Sequence, residues 1–323
     1  MPALLAMAVL LAGCGTGAPS GVRPSGPTVT VRSAGGDVTV PVTDSGIWAL
    51  DYQTALNLLA LGVVPEHAGK YAYTTDPFVS AAYAILEDAG VELVEPGRAE
   101  RVAAAAPELI VGMPRTGSDE IVPQLRELAP VVLLPDLPVL ADDLATLGAV
   151  TGHRDEAAAV AERVDAAVGD LARRVKGSEH AGSAVSVLSA YGEDSYCIYG
   201  NARGFGPLLA ELGLTRPPAQ AVAGNEWGYA TVSPEKLDEQ GADVVVAFVG
   251  SVALGAPSPL TDERLDTSGS VTGEVDYSAW FGVGPLNAFW VLGDLRAILF
   301  DEGRIAGASD GPALWDRVTG GTA

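Results

Sequence analysis

The chain has 323 residues, of which 48% are hydrophobic and 19% are charged. These proportions are typical of a folded globular protein and argue against extended disorder. The length exceeds that of an ordinary domain and favours two. Acidic residues number 41 against 19 Lys and Arg, for a formal net charge of −22. Because phosphate binding needs a basic face and no basic cluster appears, we expect no nucleic-acid partner.

The first residues have the pattern of an export signal. Residues 3–12, ALLAMAVLLA, are too few to span a bilayer but match the apolar core of a secretory signal. The run ends in Leu-Ala-Gly-Cys at Cys14, which resembles the lipobox of bacterial lipoproteins. The resemblance implies a lipoprotein signal peptide over residues 1–13 and a palmitate-bearing lipid on Cys14. Because no Lys or Arg precedes the apolar run, the true start codon is left open.

Beyond the signal, residues 14–27 are rich in Gly, Ser, Thr and Pro and predict a tether. The remaining cysteine, Cys197, lies in SYCIYG, a predicted strand, and is interpreted as a buried small hydrophobe rather than a nucleophile. With Cys14 lipidated, no intramolecular disulfide can form. We therefore expect an extracytoplasmic protein that is lipid-anchored to the outer face of the cytoplasmic membrane.

Strand-like and helix-like segments alternate along residues 28–153, which predicts an N-terminal α/β lobe with a mostly parallel sheet. The predicted strands are residues 47–50, 91–94, 109–111 and 131–134, and the predicted helices are residues 52–61, 77–89, 99–105 and 118–128.

A long amphipathic helix is predicted over residues 154–176. Its apolar positions recur at helical spacing, with charged residues on the other face, and its length would be about 34 Å, enough to bridge two lobes. Residues 177–323 repeat the alternation and predict a C-terminal lobe. Its predicted strands are residues 185–188 and 244–249, and its predicted helices are residues 206–212, 234–239 and 286–299. The fold class is therefore α/β, with two lobes built on central, mostly parallel sheets, joined by one long rigid helix and separated by a ligand cleft.

Six segments occur in an order and spacing that resemble a known family. They are ALDYQTALNLLALGVVP (49–65), AERVAAAAPELIVG (99–112), LRELAPVVLL (125–134), YCIYGNARGFGPLLAELGLTRP (196–217), GYATVSPEKLDEQGADVVVAFV (228–249) and WFGVGPLNAFWVLGDL (280–295). Together they resemble the solute-binding proteins of ABC importers for ferric siderophores and cobalamin. Residues 251–276 depart from the family pattern, because they lack its usual Trp-containing segment, which leaves ligand specificity open.

The resemblance implies two permease-docking residues. In the family, one glutamate on each lobe pairs with arginines of the importer's permease subunits, and the matching residues are Glu100 in AERVA and Glu235 in SPEKL. The alternative is that each is an ordinary first-turn glutamate, which is favourable near a helix N-terminus.

The resemblance also implies a ferric siderophore as ligand. Such a bulky, partly apolar complex needs aromatic faces with a few positive or hydrogen-bonding groups. The predicted ligand-binding residues are Tyr52, Tyr71, Tyr73, Arg115, Tyr191, Arg203, Trp227, Tyr229, Trp280 and Phe281. For each aromatic the alternative is packing in the core, which is the interpretation of Trp48 because it lies within a strand.

The scarcity of basic residues favours a ferric hydroxamate over a highly anionic ferric tricatecholate. Iron would arrive already saturated within the siderophore, so no cofactor and no protein metal ligand are expected. Of the three histidines, His67, His153 and His180, the last two lack partners at metal-ligand spacing. The expected partners are the siderophore, the ABC importer and, through the lipid, the membrane, and we expect a monomer.

Enzyme motifs are missing from the sequence. There is no G-x-S-x-G nucleophile elbow, and the GNARGFG stretch lacks the spacing and the lysine of a phosphate-binding loop. We therefore expect a binding protein. A cobalamin receptor of the same superfamily is the main alternative, and an exported hydrolase, whose nucleophile and base would meet only in three dimensions, is a remote one.

Overall fold

The computed structural model describes residues 26–71, 75–114, 119–135, 139–192, 194–221 and 227–321. The predicted signal peptide, Cys14 and nearly all of the tether lie outside the described residues. The described chain opens with a hairpin that the sequence did not predict, in which β1 (Thr28–Ser33) pairs antiparallel with β2 (Gly36–Pro41).

The N-terminal lobe is built on a five-stranded parallel sheet in the order β5-β4-β3-β6-β7. The strands are β3 (Ile47–Ala49), β4 (His67–Gly69), β5 (Glu92–Val94), β6 (Leu109–Gly112) and β7 (Val131–Leu133). The parallel arrangement confirms the prediction from the alternating segments. Strand β4 was not predicted, because its three residues His-Ala-Gly include no apolar run.

The helices of this lobe are α1 (Tyr52–Ala60), α2 (Pro77–Asp88), α3 (Ala99–Ala105), α4 (Val122–Leu128) and α5 (Leu140–Thr151). Asp51 caps α1, since its Oδ1 accepts the Thr54 N–H at 2.9 Å, and its Oδ2 accepts the Met113 N–H at 2.8 Å. The start of α1 is thereby tied to the end of β6. Helix α5 was not predicted, and the segment before α4 is a 3₁₀ turn at Asp119–Ile121.

The lobes are joined by α6, which spans Arg154–Lys176 as predicted. Its apolar stripe is buried, with Val160, Val164, Val168, Leu171 and Val175 each under 5% exposed. Its other face carries charged residues that remain in solvent. This separation of apolar and charged faces is why the sequence pattern predicted the helix.

The C-terminal lobe is built on a mixed sheet in the order β10-β9-β8-β11-β12. The strands are β8 (Val185–Ala190), β9 (Tyr196–Tyr199), β10 (Tyr229–Val232), β11 (Val244–Val249) and β12 (Val271–Asp276). Strands β8, β11 and β12 are parallel, whereas β9 is antiparallel to both neighbours. The reversal follows from the five-residue connection 191–195, because a parallel crossover needs a dozen residues or more.

The remaining helices are α7 (Phe205–Glu211), α8 (Tyr277–Phe281), α9 (Pro285–Phe300) and α10 (Gly311–Thr319), and the predicted helix at 234–239 is the 3₁₀ segment Pro234–Gln240. Helix α10 returns to the N-terminal lobe and packs on α2. Contact there is so close that a Cβ at Gly311 would lie 2.6 Å from the Cβ of Ala81. Among the described residues no helix is both long and apolar enough to cross a membrane.

Candidate ligand cleft between the two lobes

The lobes face each other across a cleft whose walls begin where strands end. Tyr52 starts α1 just after β3, and Tyr71 follows β4. From the opposite lobe, Tyr277 and Phe281 follow β12 on α8. These four aromatics enclose a small cavity together with Gln53, Ser278 and Gly282. Because the carboxyl ends of parallel strands are where α/β folds place ligands, this is the candidate site.

The cavity is narrow, with a volume of about 20 Å³. That space holds little more than one water molecule. A bulky ligand would therefore lie across the mouth of the cavity, in contact with both lobes, and the separation of the lobes determines how well it fits.

The N-terminal wall is an aromatic cluster. The ring centroids of Tyr52 and Tyr71 are 6.0 Å apart, and Tyr83 meets Tyr52 edge to face at 5.7 Å. The Tyr71 N–H donates to the Tyr83 hydroxyl at 2.7 Å. Burial raises the pKa of Tyr83, so it is a neutral hydrogen-bonding partner. Tyr83 was missed because it is one residue of an ordinary amphipathic helix, and only packing brings it against Tyr52 and Tyr71.

The C-terminal wall stacks Tyr277 on Phe281 with ring centroids 4.7 Å apart. The guanidinium carbon of Arg203 lies over the Phe281 ring, 4.1 Å from its centre, which is a cation–π contact. Arg203 Nε donates to the carbonyl of Trp227. With 2% of its surface exposed, Arg203 supports the wall in this conformation rather than projecting into solvent.

Two predicted aromatics lie at the surface. Tyr191, after β8, and Trp227, before β10, are each 43% exposed. Tyr229 is partly buried, with its ring centroid 6.1 Å from that of Tyr199. None of these three is among the described residues that line the small cavity, although the Trp227 carbonyl accepts from Arg203, which packs on Phe281.

The prediction for Trp280 is wrong. It was predicted to face the ligand, but it is fully buried and packs against Phe205 and Phe248, with centroids 5.9 and 6.1 Å away. Its indole N–H donates to Asp294 Oδ2 at 2.8 Å. Adjacent residues on a helix point in different directions, so α8 directs Phe281 to the cleft and Trp280 into the core.

Two further predicted ligand residues, Tyr73 and Arg115, lie outside the described residues.

Cys197 is buried, as predicted, and burial raises the pKa of its thiol to about 11, which keeps it protonated and unreactive. Trp48 is also in the core, stacked on His67 with centroids 4.5 Å apart.

The two predicted docking glutamates are both exposed, one on each lobe. Glu100 lies in the first turn of α3, and Glu235 in the first turn of the 3₁₀ segment Pro234–Gln240. The pKa of Glu235 is lowered, chiefly by a hydrogen bond with Ser233 and to a smaller extent by nearby Arg264. Each therefore presents a carboxylate on the surface of its lobe.

A second, larger cavity lies beside the first and was not predicted. It has a volume of about 140 Å³ and lies between the start of α5 and helices α6, α7 and α9. Its lining is mainly apolar, and Gly282 belongs to both cavities. No group of three or more His, Cys, Asp or Glu residues within the described chain is arranged to hold a metal ion.

Two α/β lobes, one connecting helix and an aromatic cleft between them define a bilobal solute-binding protein. The model of the family described as periplasmic binding protein matches residues 47–251, and the chain belongs to this family. Its members bind substrates, so the chain is a binding protein and not an enzyme. No curated protein matches the chain in sequence.

Solved structures of siderophore-binding proteins share the fold. Staphylococcus aureus SirA complexed with staphyloferrin B is 20% identical with a TM-score of 0.66, covering 84% of this chain and 98% of that one. S. aureus FhuD2 with bound ferrioxamine B is 18% identical with a TM-score of 0.63, covering 79% and 98%. The petrobactin-binding protein YclQ from Bacillus subtilis is 16% identical with a TM-score of 0.69, covering 85% and 100%.

Proposed function

We propose that the chain is an extracytoplasmic receptor that binds a ferric siderophore and delivers it to an ABC importer. The observation that carries this proposal is the meeting of aromatic rings from both lobes at one cleft, Tyr52 and Tyr71 opposite Tyr277 and Phe281. A chelated ferric ion presents a broad organic surface rather than exposed metal, and flat apolar rings with hydroxyl groups suit such a surface.

The ligand class we favour is a ferric hydroxamate, which is close to neutral or weakly cationic. The described residues that line the small cavity include no Lys or Arg. A net charge of −22 would also repel a strongly anionic complex as it approaches. The siderophore would saturate the iron, so the protein would recognise the complex without coordinating the metal.

The decisive experiment is a titration of intrinsic tryptophan fluorescence with ferrioxamine B, ferric staphyloferrin B, ferric petrobactin and cobalamin. Trp227 is the reporter, because it is 43% exposed and its carbonyl accepts from Arg203, which packs on the cavity residue Phe281. We expect saturable quenching by the ferric hydroxamate. Free N-acetyltryptophanamide corrects for light absorbed by each ligand.

The matched control replaces single tryptophans. Trp227→Phe should lose most of the ligand-dependent quenching, whereas Trp315→Phe, on α10 away from the cleft, should retain it. If cobalamin quenches and none of the ferric siderophores does, the protein is a cobalamin receptor of the same family and the siderophore assignment is wrong.

Two further parts of the proposal concern the membrane. Cys14 would carry the lipid that holds the receptor at the outer face of the cytoplasmic membrane. Glu100 and Glu235 would dock the loaded receptor, as a monomer, on arginines of the permease. Their support is the lipobox pattern for Cys14 and, for the glutamates, an exposed carboxylate on each lobe.

A further inference from the structure

A cluster of polar contacts joins the two lobes at the N-terminus of α2, far along the chain from the connecting helix. The carboxylate of Asp76, in the N-terminal lobe, accepts three hydrogen bonds from the C-terminal lobe. The donors are the Ser251 N–H at 2.9 Å, the Ser251 hydroxyl at 2.8 Å and the Ser278 hydroxyl at 2.7 Å.

A second carboxylate makes the reciprocal contact. Asp276 Oδ2, in the C-terminal lobe, accepts the Phe78 N–H of α2 at 2.9 Å, while its Oδ1 accepts the Ala279 N–H of α8 at 2.9 Å. Asp76 occupies the N-cap position of α2 but makes no capping bond to its own helix. Because the first N–H groups of a helix need acceptors, α2 is capped by the opposite lobe.

Both carboxylates are buried, with Asp76 1% and Asp276 5% exposed. The close approach depends on Gly250, whose φ of +103° is one that other residues rarely adopt, and where a Cβ would lie 2.7 Å from Asp76 Oδ1. A buried carboxylate that loses its donors carries a large desolvation cost, so the arrangement strongly favours the present distance between the lobes.

The contacts lie directly beside the cleft. Tyr71 precedes Asp76 by five residues, Tyr277 immediately follows Asp276, and Ser278 itself lines the small cavity. A change in the spacing of these two carboxylates and their donors would therefore change the distance between the aromatic walls.

We propose that Asp76 and Asp276, with Ser251, Ser278 and the Phe78 N–H, form an interlobe latch that sets the width of the ligand cleft. The two aspartates are positioning residues that act through Tyr71, Tyr277 and Phe281. The effect on affinity rests on the proposed function, whereas the effect on the distance between the lobes does not.

Apolar contacts also join the lobes, independently of the hydrogen bonds of the latch. Phe78 of α2 meets Trp290 of α9 edge to face with centroids 5.2 Å apart, and α10 packs on α2. Latch variants should therefore fold, and the lobes should become less restrained rather than separate.

The test compares Asp76→Asn, the double variant Ser251→Ala/Ser278→Ala, and the combination of all three changes. The first replaces one accepting oxygen of Asp76 by an amide NH2 group, and the second removes the two hydroxyl donors. Asp88→Asn is the matched control, because Asp88 is an exposed aspartate on the same helix. Circular dichroism and melting curves establish that each variant is folded.

The distance between the lobes is measured by single-molecule FRET on the ligand-free protein. Dyes are attached to Gln124→Cys on α4 and Asp238→Cys in the 3₁₀ segment Pro234–Gln240, both exposed positions, in a chain carrying Cys14→Ser. Cys197 is buried and does not react. We expect Asp76→Asn and the double variant Ser251→Ala/Ser278→Ala each to shift or broaden the distance distribution. Asp88→Asn should match the wild type.

Ligand affinity is measured with ferrioxamine B by stopped-flow fluorescence. Each latch variant should bind about tenfold more weakly, mainly through faster dissociation, because a less ordered cleft must be ordered on binding. The combined variant should be no weaker than either parent, since all of the changes break the same contact.

Unchanged FRET distributions in both latch variants would overturn the latch, and so would wild-type affinity in variants whose distributions do shift. If the wild type binds cobalamin but no ferric siderophore, the proposed ligand is wrong, and the FRET comparison still decides whether the latch sets the distance between the lobes.

Discussion

The substitution Asp294→Asn should destabilise the protein at acid pH but stabilise it, relative to the wild type, at alkaline pH. Asp294 is fully buried in α9, where Oδ2 accepts the Trp280 N–H and Oδ1 accepts the Ala306 N–H, each at 2.8 Å. Burial raises the pKa of its carboxyl from 3.8 to about 7 despite these two donors, with smaller contributions from the neighbouring Asp276 and Asp310.

The sign follows from proton binding. A carboxyl with a raised pKa binds its proton more tightly in the folded state, so its contribution to stability is complete below pH 3.8 and is lost as the pH rises through about 7. A shift of about 3 units corresponds to about 4 kcal/mol. Asparagine does not ionise, but its side-chain NH2 group takes the place of one carboxylate oxygen and faces an N–H donor. The lost hydrogen bond lowers the free energy of unfolding by about 1–3 kcal/mol at every pH.

The assay is urea unfolding, followed by circular dichroism, of wild type and Asp294→Asn from pH 4.5 to 8.5. At pH 4.5 the variant should be less stable, by about the 1–3 kcal/mol of the lost hydrogen bond. By pH 8.5 the difference should have moved by several kcal/mol in favour of the variant. Asp316→Asn, at an exposed position on α10, should run parallel to the wild type. Parallel curves for Asp294→Asn as well would refute a raised pKa at this residue.

Three further predictions concern the membrane, the importer and the ligand. A palmitate analogue should label the wild type in cells and not Cys14→Ala. Replacing Glu100 and Glu235 together by alanine should leave ligand affinity nearly unchanged but lower the uptake of radioactive iron, because permease arginines lose their partners, and lysine at both positions should lower it further. Arg115→Ala should weaken binding of the ferric hydroxamate, and the iron-free siderophore should bind less well than the ferric complex.

The labelling and import experiments each have a result that would contradict the prediction. Equal labelling of wild type and Cys14→Ala would remove the lipid anchor from the proposal. Loss of both uptake and binding in the double glutamate variant would place those residues in the fold or the cleft, whereas unchanged uptake would make them ordinary first-turn glutamates. Glu239→Ala, at an exposed position beside Glu235, is the matched control and should import iron normally.

Periodicity in the sequence was enough to predict the general architecture. The alternation of short apolar runs with amphipathic segments predicted two α/β lobes, and the stripe from Val160 to Val175 predicted α6 with the bounds that it has. Such patterns are legible because each element buries one face against its own lobe. Where that signal was weak, as in the three-residue strand β4 and in α5, the element was missed.

The candidate site was predictable only in part. Tyr52, Tyr71 and Phe281 were among the aromatic residues predicted to contact the ligand, and the structure brings all three to one cleft. Trp280 was predicted in the same way but lies in the core, because adjacent residues of α8 point in different directions. Periodicity alone does not decide this in a helix of five residues.

Contacts between the lobes were decided by the tertiary structure alone. Asp76 and Ser251 are 175 residues apart in the sequence, and Phe78 and Asp276 are 198 residues apart. No local sequence pattern identifies either pair as hydrogen-bonding partners. Local sequence specifies how each segment satisfies its own backbone and buries its own apolar face. The hydrogen bonds between the lobes are different, because a buried carboxylate of one lobe accepts from donors of the other. These pairs form only when both lobes have folded and packed together, so local sequence does not specify them.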